Sequence, residues 1–429
     1  MNSRTAFLLL LIFGFLITGL ISLNGAVIAL AIPLLVYLGI AVWYSPTPPH
    51  LVAFRTLPLE TVFPDTPVEV NIFLKNNGGD LPEVLIEDNV PEGLTVLDGE
   101  TSRFLPLPAG EEIRLSYVVK GGRGDYRFNS LQVSYREGAG LFEGKIAVQA
   151  SHRLMVRPRP RPLRSIPIRP PQTRGFAGPI PSRQGGVGID FFLVREYQPG
   201  DPMRRINWKV TAREEQNLFT NLFEQQRVAD VGIILDAREQ SYGGSNDHLL
   251  FEHAVDAAAS IADAFLRDGN RVGMLVYGAG IDTAFPGAGK IQHQRILQVL
   301  ARAHLGSNYA LESLSYLPTR FFPPHSQVVL ISPLQPHDTE ILITLRAHGY
   351  QVLVLSPDLI RFDAGQVAPN SPEELALRIA LAERKFALQK LRRAGIQVLD
   401  WDVTLPLEQV VRQAIPLRPH LRRGMGVPV

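Results

Sequence analysis

The sequence predicts three regions of different class: a pair of apolar helices, then an all-β sandwich, then a doubly wound α/β domain. Three observations predict this. Thr5–Leu23 and Ala26–Tyr44 are apolar runs without a charge. Between residues 51 and 155, short stretches alternate apolar and polar side chains at period two. From 228 to 415, short apolar runs alternate with longer stretches whose apolar residues recur at helical spacing.

Composition sets the bounds. The 429 residues allow two or three domains. With 43 Lys and Arg against 41 Asp and Glu, no global basic field speaks for nucleic acid. There is no Cys, which excludes disulfides, thiolate chemistry and Cys-ligated zinc. The 36 Gly and 34 Pro suit a turn-rich chain.

Each apolar run is close to the roughly 20 residues that span a hydrocarbon core. Asn24-Gly25 between them is a turn signal, so residues 1–45 are expected to form a hairpin of two transmembrane helices. Pro33 lies inside the second, which membrane helices tolerate. A secretory signal peptide would carry a shorter apolar region, about 7–15 residues. Arg4 precedes the first run and Arg55 follows the second. The positive-inside rule then gives a two-span, multi-pass protein of the cell membrane with its soluble part in the cytoplasm.

Residues 51–155 are expected to be β. Val68–Leu74, Ile113–Val119 and Leu131–Tyr135 alternate at period two, and Asn76-Asn77-Gly78-Gly79 and Gly121-Gly122 punctuate them. Short alternating strands at turn-marked intervals predict an immunoglobulin-like sandwich. Residues 156–187 then bring Arg157, Arg159, Arg161, Arg164, Arg169, Arg174 and Arg183, interleaved with Pro, before the next acid at Asp190. This reads as an extended, solvated linker of polyproline character, and anionic membrane lipid is the partner its charge would meet.

Residues 188–227 hold the densest motif: Arg195-Glu196-Tyr197, then Gly200-Asp201, then Arg205-Ile206-Asn207-Trp208, then Ala212-Arg213. Pro199-Gly200-Asp201-Pro202 can only turn. The interleaved Arg and acids suggest ion pairs that latch this turn to the following domain or dock a partner. The ordered run of Arg195, Glu196, Tyr197, Gly200, Asp201, Arg205, Trp208 and Arg213 resembles the signature of the domain of unknown function 58 family. Arg123-Gly124-x-Tyr126 and Gly140-Leu141-Phe142 resemble a second motif of that family, with Arg136-Glu137-Gly138 standing where the family has Asp-Pro.

The region 228–415 is expected to alternate strand and helix, with residues 416–429 as a tail. Strands are read at Val228–Leu235, Val272–Tyr277, Val328–Ile331, Val352–Leu355 and Ile396–Leu399. Helices are read at His248–Leu266, Gln294–Ala303, His337–His348, Ser371 to Arg393 and Leu407–Ile415. In the first of these, Phe251, Val255, Ala258, Ile261, Ala262 and Phe265 share one face. The order resembles a von Willebrand factor A domain. That fold often carries a metal-ion-dependent adhesion site on Asp-x-Ser-x-Ser. Here Asp236 keeps the first position, while Arg238 and Gln240 replace the hydroxyls. Too few oxygen ligands remain for a tight divalent cation, and Arg238 is placed to fill the site by charge. No metal and no other cofactor is expected.

Enzyme motifs are missing. Lys290 lacks the first Gly and the Ser or Thr of a phosphate loop, and there is no His-Glu-x-x-His or Gly-x-Ser-x-Gly. With the apolar runs, the missing motifs and the family resemblance over about residues 100–415, the expectation is a membrane-anchored, non-enzymatic adaptor. Its implied partner is a MoxR-type AAA+ ATPase, in the assembly or activation of membrane or envelope complexes. The alternatives are a metal-dependent adhesion module and a hydrolase using Asp236 or Asp201 as general base.

Overall fold

The computed structural model describes residues 3–43, 49–136, 143–163, 166, 180–213, 217–243, 247–318, 321–363 and 372–414. Two compact units emerge, Met1–Arg157 and Pro158–Val429.

The first unit begins with α1 (Ser3–Ile21), α2 (Gly25–Ala29) and α3 (Ala31–Trp43). Here the structure corrects the sequence reading. Among the described residues, no helix is long and apolar enough to cross a membrane. The second apolar run is divided at Leu30, and the 13 residues of α3 reach only about 20 Å. The first run opens on the polar Ser3-Arg4-Thr5, which leaves Ala6–Ile21, about 24 Å, against roughly 30 Å of hydrocarbon. The expected two transmembrane helices, and with them the multi-pass membrane location, are therefore set aside. Arg55, taken as a membrane flank, is a core residue of the next region.

That region comprises β1 (Leu51–Thr56), β2 (Thr61–Val62), β3 (Val68–Asn76), β4 (Leu81–Asp88), β5 (Leu94–Gly99), β6 (Ser102–Leu107), β7 (Glu112–Gly121), β8 (Gly124–Arg136) and β9 (Glu143–Val156). They form two sheets, β1-β3-β7-β5 and β2-β9-β8-β4-β6. Period-two alternation turns Val70, Ile72 and Leu74 inward, where they meet Tyr117, Phe128 and Val133 in one core. Buried within it, Arg55 Nη2 donates to Asp88 Oδ1 at 2.5 Å and Nη1 to the Ala150 carbonyl. Tyr117 Oη donates to the other Asp88 oxygen. The Arg55 guanidinium also lies 4.6 Å from the Phe128 ring centroid. Tyr126, of the Arg123-Gly124-x-Tyr126 motif, donates its hydroxyl to the Gly122 carbonyl. The loop holding Glu137-Gly138 and Gly140-Leu141-Phe142 lies outside the described residues.

The second unit comprises β10 (Ile180–Glu196), α4 (Trp208–Thr211), β11 (Phe219–Arg227), β12 (Asp230–Asp236), α5 (Glu239–Tyr242), α6 (Asp247–Arg267), β13 (Arg271–Tyr277), β14 (Ile281–Gly287), α7 (Gly289–Arg302), β15 (Gln327–Ile331), α8 (Asp338–Ala347), β16 (Gln351–Pro357), α9 (Leu359–Asp363), α10 (Pro372–Arg393), β17 (Gln397–Trp401) and α11 (Leu407–Ala414). Six strands form one sheet in the order β14-β13-β12-β15-β16-β17, parallel except for the antiparallel edge strand β14. Both faces of the central strands are covered, so β12, β13, β15 and β16 are buried along almost their whole length. Val231, Ile233 and Leu235 enter a core with α6, α7 and α11, while Ile234 faces a second core with α8 and α10.

The linker reading is changed at two places. Leu163 and Ile166 are buried in the first of these cores, and the Arg161 amide donates to Ser260 Oγ at 2.9 Å. Residues 180–187 belong to β10, which pairs antiparallel with β11 as a separate ribbon. Residues 164–165 and 167–179, Ser371 and the tail 416–429 lie outside the described residues.

Candidate functional site

The sheet reverses its winding at β12, which pairs with β13 on one side and β15 on the other. In open α/β sheets the crevice at the carboxyl ends of such strands is the usual ligand site. Asp236 ends β12, and Ser332 follows β15. They meet: Ser332 Oγ donates to Asp236 Oδ2 at 2.6 Å.

Between them and the start of α8 lies Arg238. Its Nε and Nη2 donate to the two Asp236 oxygens at 2.9 and 2.8 Å. Its Nη1 and Nη2 donate to the two Asp338 oxygens at 3.3 and 2.7 Å, and Nη1 also reaches the Glu312 carbonyl at 2.8 Å. A guanidinium has five N–H donors in a fixed fork; here five bonds engage it. The side chains of Arg238, Asp236 and Asp338 are 2%, 0% and 2% exposed. Backbone amides complete the shell, Arg238 N to Asp236 and Gln335 N to Asp338. Gln240, the other departure from the hydroxyl pattern, donates to the Glu312 carbonyl.

The electrostatics follow from burial and pairing. Burial alone would lower the Arg238 guanidinium, but the hydrogen bonds and charges of Asp236 and Asp338 outweigh it and raise it. Burial pushes the Asp338 carboxyl above the ordinary range, against the pull of Arg238. Tyr242, fully buried beside this cluster, has a hydroxyl with no hydrogen-bond partner among the described residues. Burial, then the Asp236 charge, push that phenol well above its ordinary value.

A divalent cation does not fit at Asp236. The point it would occupy is taken by a guanidinium, and the carboxylate oxygens are already accepting N–H bonds. Among the described residues no group of three His, Asp or Glu is placed to hold a metal. Proton abstraction by Asp236 is likewise disfavoured, because both its oxygens are committed and the group is sealed from solvent.

Residues 193–374 match the family described as Protein of unknown function DUF58. The match takes in the whole Asp236–Arg238–Ser332–Asp338 cluster and the signature from Arg195 onward. The chain is also 30% identical over 241 residues to Uncharacterized protein YeaD of Bacillus subtilis (strain 168), covering 54% of this chain and 58% of that protein. The chain thus spans little more than half the length of this relative. Among solved structures, the CARDB domain of a Pyrococcus furiosus protein aligns at 20% identity. It covers 25% of this chain and 93% of its own, with a TM-score of 0.19. A FixG-related protein from Vibrio parahaemolyticus aligns at 9%, covering 25% and 95%, with a TM-score of 0.18. Scores this low carry no argument about either unit.

The signature residues form a folded loop on the β10–β11 ribbon and do not enter the Arg238 cluster. Arg195 Nη2 pairs with Asp201 Oδ1 at 2.9 Å, and Asp201 also accepts from the Gln198 amide. Gly200 takes φ +108°, as its turn requires. Glu196 accepts from Asn217, and the Tyr197 amide donates to the Leu218 carbonyl. The Arg205 carbonyl accepts from Thr220 Oγ1. Asn207 caps α4 through the Val210 amide. Trp208 is 65% exposed and Met203 74%, and Arg213 is exposed as well. The loop is thus braced by its backbone and by Asp201, while its largest apolar side chains face solvent.

One participant escaped the sequence. Asp338 sits 100 residues from Arg238, and nothing local marks it beyond its place in the first turn of a helix. The place of Ser332 at the carboxyl edge of the sheet, beside Asp236, follows from the order of the apolar strands.

Proposed function

We propose that the α/β unit is a von Willebrand factor A-like docking module in which a guanidinium has replaced the cation, and that the chain is a non-enzymatic adaptor. The observation that carries this reading is Arg238 between Asp236 and Asp338 at the switch point of the sheet. With the position filled from within, the crevice offers a fixed surface that needs no metal to assemble. The exposed Trp208 and Met203 beside Arg204 and Arg205 support protein contact as well, since Trp and Arg are the residues most enriched at binding hot spots.

The partner this reading assigns is a MoxR-type AAA+ ATPase, in the assembly or activation of larger complexes. The test is affinity purification of the full-length chain from its own cells, with and without ATP, followed by mass spectrometry. Nucleotide-dependent recovery of such an ATPase is the expected result. Repeated recovery of intact bait without any ATPase would overturn the assignment.

A further inference from the structure

A cavity of about 840 Å³ opens by the loop that follows β15, and its lining includes neither Asp236 nor Arg238. One wall is that loop, Pro333–Pro336; the other is α10, from Ala380 to Arg393, with Leu359 and Ile360 of α9 between them. Its volume lies within the roughly 300–1,000 Å³ of ligand sites.

Three features show that this groove is built. Leu334 holds φ +69°, a left-handed conformation that is costly for a branched side chain and that clusters at functional sites. Arg384 is nine-tenths buried at the base. Its Nη groups tie the loop to the sheet edge through the Pro333 and Ser356 carbonyls at 3.2 and 3.0 Å and Asp400 at 2.8 Å. Its Nε has no hydrogen-bond partner among the described residues, lying 3.6 Å from Asp358. Finally, Phe386 lines the cavity while 74% exposed, leaving a large apolar surface open to solvent.

Charge and shape select the occupant. Arg384 is held by Asp400 and Asp358, which leaves Lys390 and Arg393 against Glu383 on the groove wall, an excess of one positive charge. Arg393 forms no ion pair among the described residues, and Lys390 reaches only the exposed Glu340, at 3.5 Å. The stretch of α10 from Ala380 to Arg393 measures about 20 Å, the reach of roughly six extended residues. We propose that this groove binds a short extended segment of a partner protein, with an apolar side chain against Leu334, Leu359 and Phe386 and an acidic residue between Lys390 and Arg393. The inference concerns residues apart from the Arg238 cluster and is independent of the ATPase assignment.

Random dodecapeptides displayed on phage and selected on the immobilised full-length chain would test it. The best binder would then be fluorescein-labelled and titrated by anisotropy. The expected result is enrichment of peptides that place an apolar residue beside Asp or Glu, and binding weakened by roughly tenfold or more in the K390E/R393E variant. Both positions are exposed, so that variant is expected to keep its fold, checked by circular dichroism. Lys209→Glu, on α4, should leave binding unchanged. Bound peptide should slow amide exchange in residues 333–339 and 380–393. No enrichment, enrichment of basic or neutral peptides, unchanged affinity in K390E/R393E, or protection confined to other segments would each overturn the proposal.

Discussion

Replacing Arg238 by Met is the perturbation that bears most directly on the buried cluster. Met keeps much of the side-chain volume and removes the charge and five hydrogen bonds. Two carboxylates, 0% and 2% exposed, are then left without a counter-charge. Some support remains. Asp236 keeps Ser332 Oγ and the backbone amide of position 238, and Asp338 keeps the Gln335 amide. Removing one partner of a buried ion pair costs about 3–5 kcal/mol, and the surviving bonds place the expected loss near the lower end, about 3 kcal/mol. That is a large share of the roughly 5–15 kcal/mol that holds a domain together. Urea denaturation followed by fluorescence suits the measurement, because Trp401 is buried in the core of the α/β unit. The pH dependence has a defined sign. Burial already raises the Asp338 carboxyl, and Arg238 opposes that rise. Without Arg238 the folded value climbs further above the unfolded one, so the penalty is full near neutral pH and shrinks as pH falls toward the carboxylate range. A loss under about 1 kcal/mol, or a loss that grows on acidification, would mean that Arg238 does not neutralise the two buried carboxylates.

Other consequences can be measured separately. Gly278→Ala would put a Cβ 2.3 Å from the Ala237 carbonyl oxygen, beside the cluster, and should cost about 1–3 kcal/mol in the same denaturation experiment. Tyr117→Phe removes the hydroxyl bond to Asp88 and should cost about 1.5–3 kcal/mol, seen as faster amide exchange in β3 and β7 with the α/β unit unaffected. His253 is held below its ordinary value of 6.5 by burial and then by Arg161. The folded state therefore binds fewer protons, and stability is lost as pH falls from about 6.5 toward the folded value. A His253→Gln variant should lack that increment between pH 7 and 5, and a midpoint at or above 6.5 for the His253 ring by NMR would contradict it.

What the sequence disclosed depended on whether a signal was local. The strand expected at Val228–Leu235 runs Asp230–Asp236, and the helix expected at His248–Leu266 runs Asp247–Arg267. In both, burial on one or two faces writes the period directly into the side chains. The strand β14 was not legible, because Asp282, Thr283 and Pro286 on a sheet edge leave no apolar run. At the N-terminus, apolar composition alone was misleading. It records hydropathy and not where a helix breaks, and the division at Leu30 changed the outcome. Arg55 misled for a related reason: a lone Arg after an apolar run looks like a flank until Asp88 and Tyr117 are folded around it. At the candidate site, the pattern Asp236-x-Arg238-x-Gln240 was visible, but Asp338 comes from the start of α8, and only the sheet topology joins them. The signature was visible as a motif, whereas the exposure of Trp208 was not, since charge pairing in sequence says nothing about which faces meet solvent.

The claim that a guanidinium stands in place of the cation is tested most directly by titrating Mg²⁺ into the full-length chain and into an R238S/Q240S double variant, by calorimetry with thermal denaturation alongside. No saturable heat and no change in Tm are expected for the natural chain. The double variant restores hydroxyls two and four residues after Asp236. It should be destabilised without metal and should recover with Mg²⁺, by about 2.7 kcal/mol at a hundredfold excess over Kd. Saturable Mg²⁺ binding by the natural chain, with a matching rise in Tm, would show that Arg238 does not occupy the cation position.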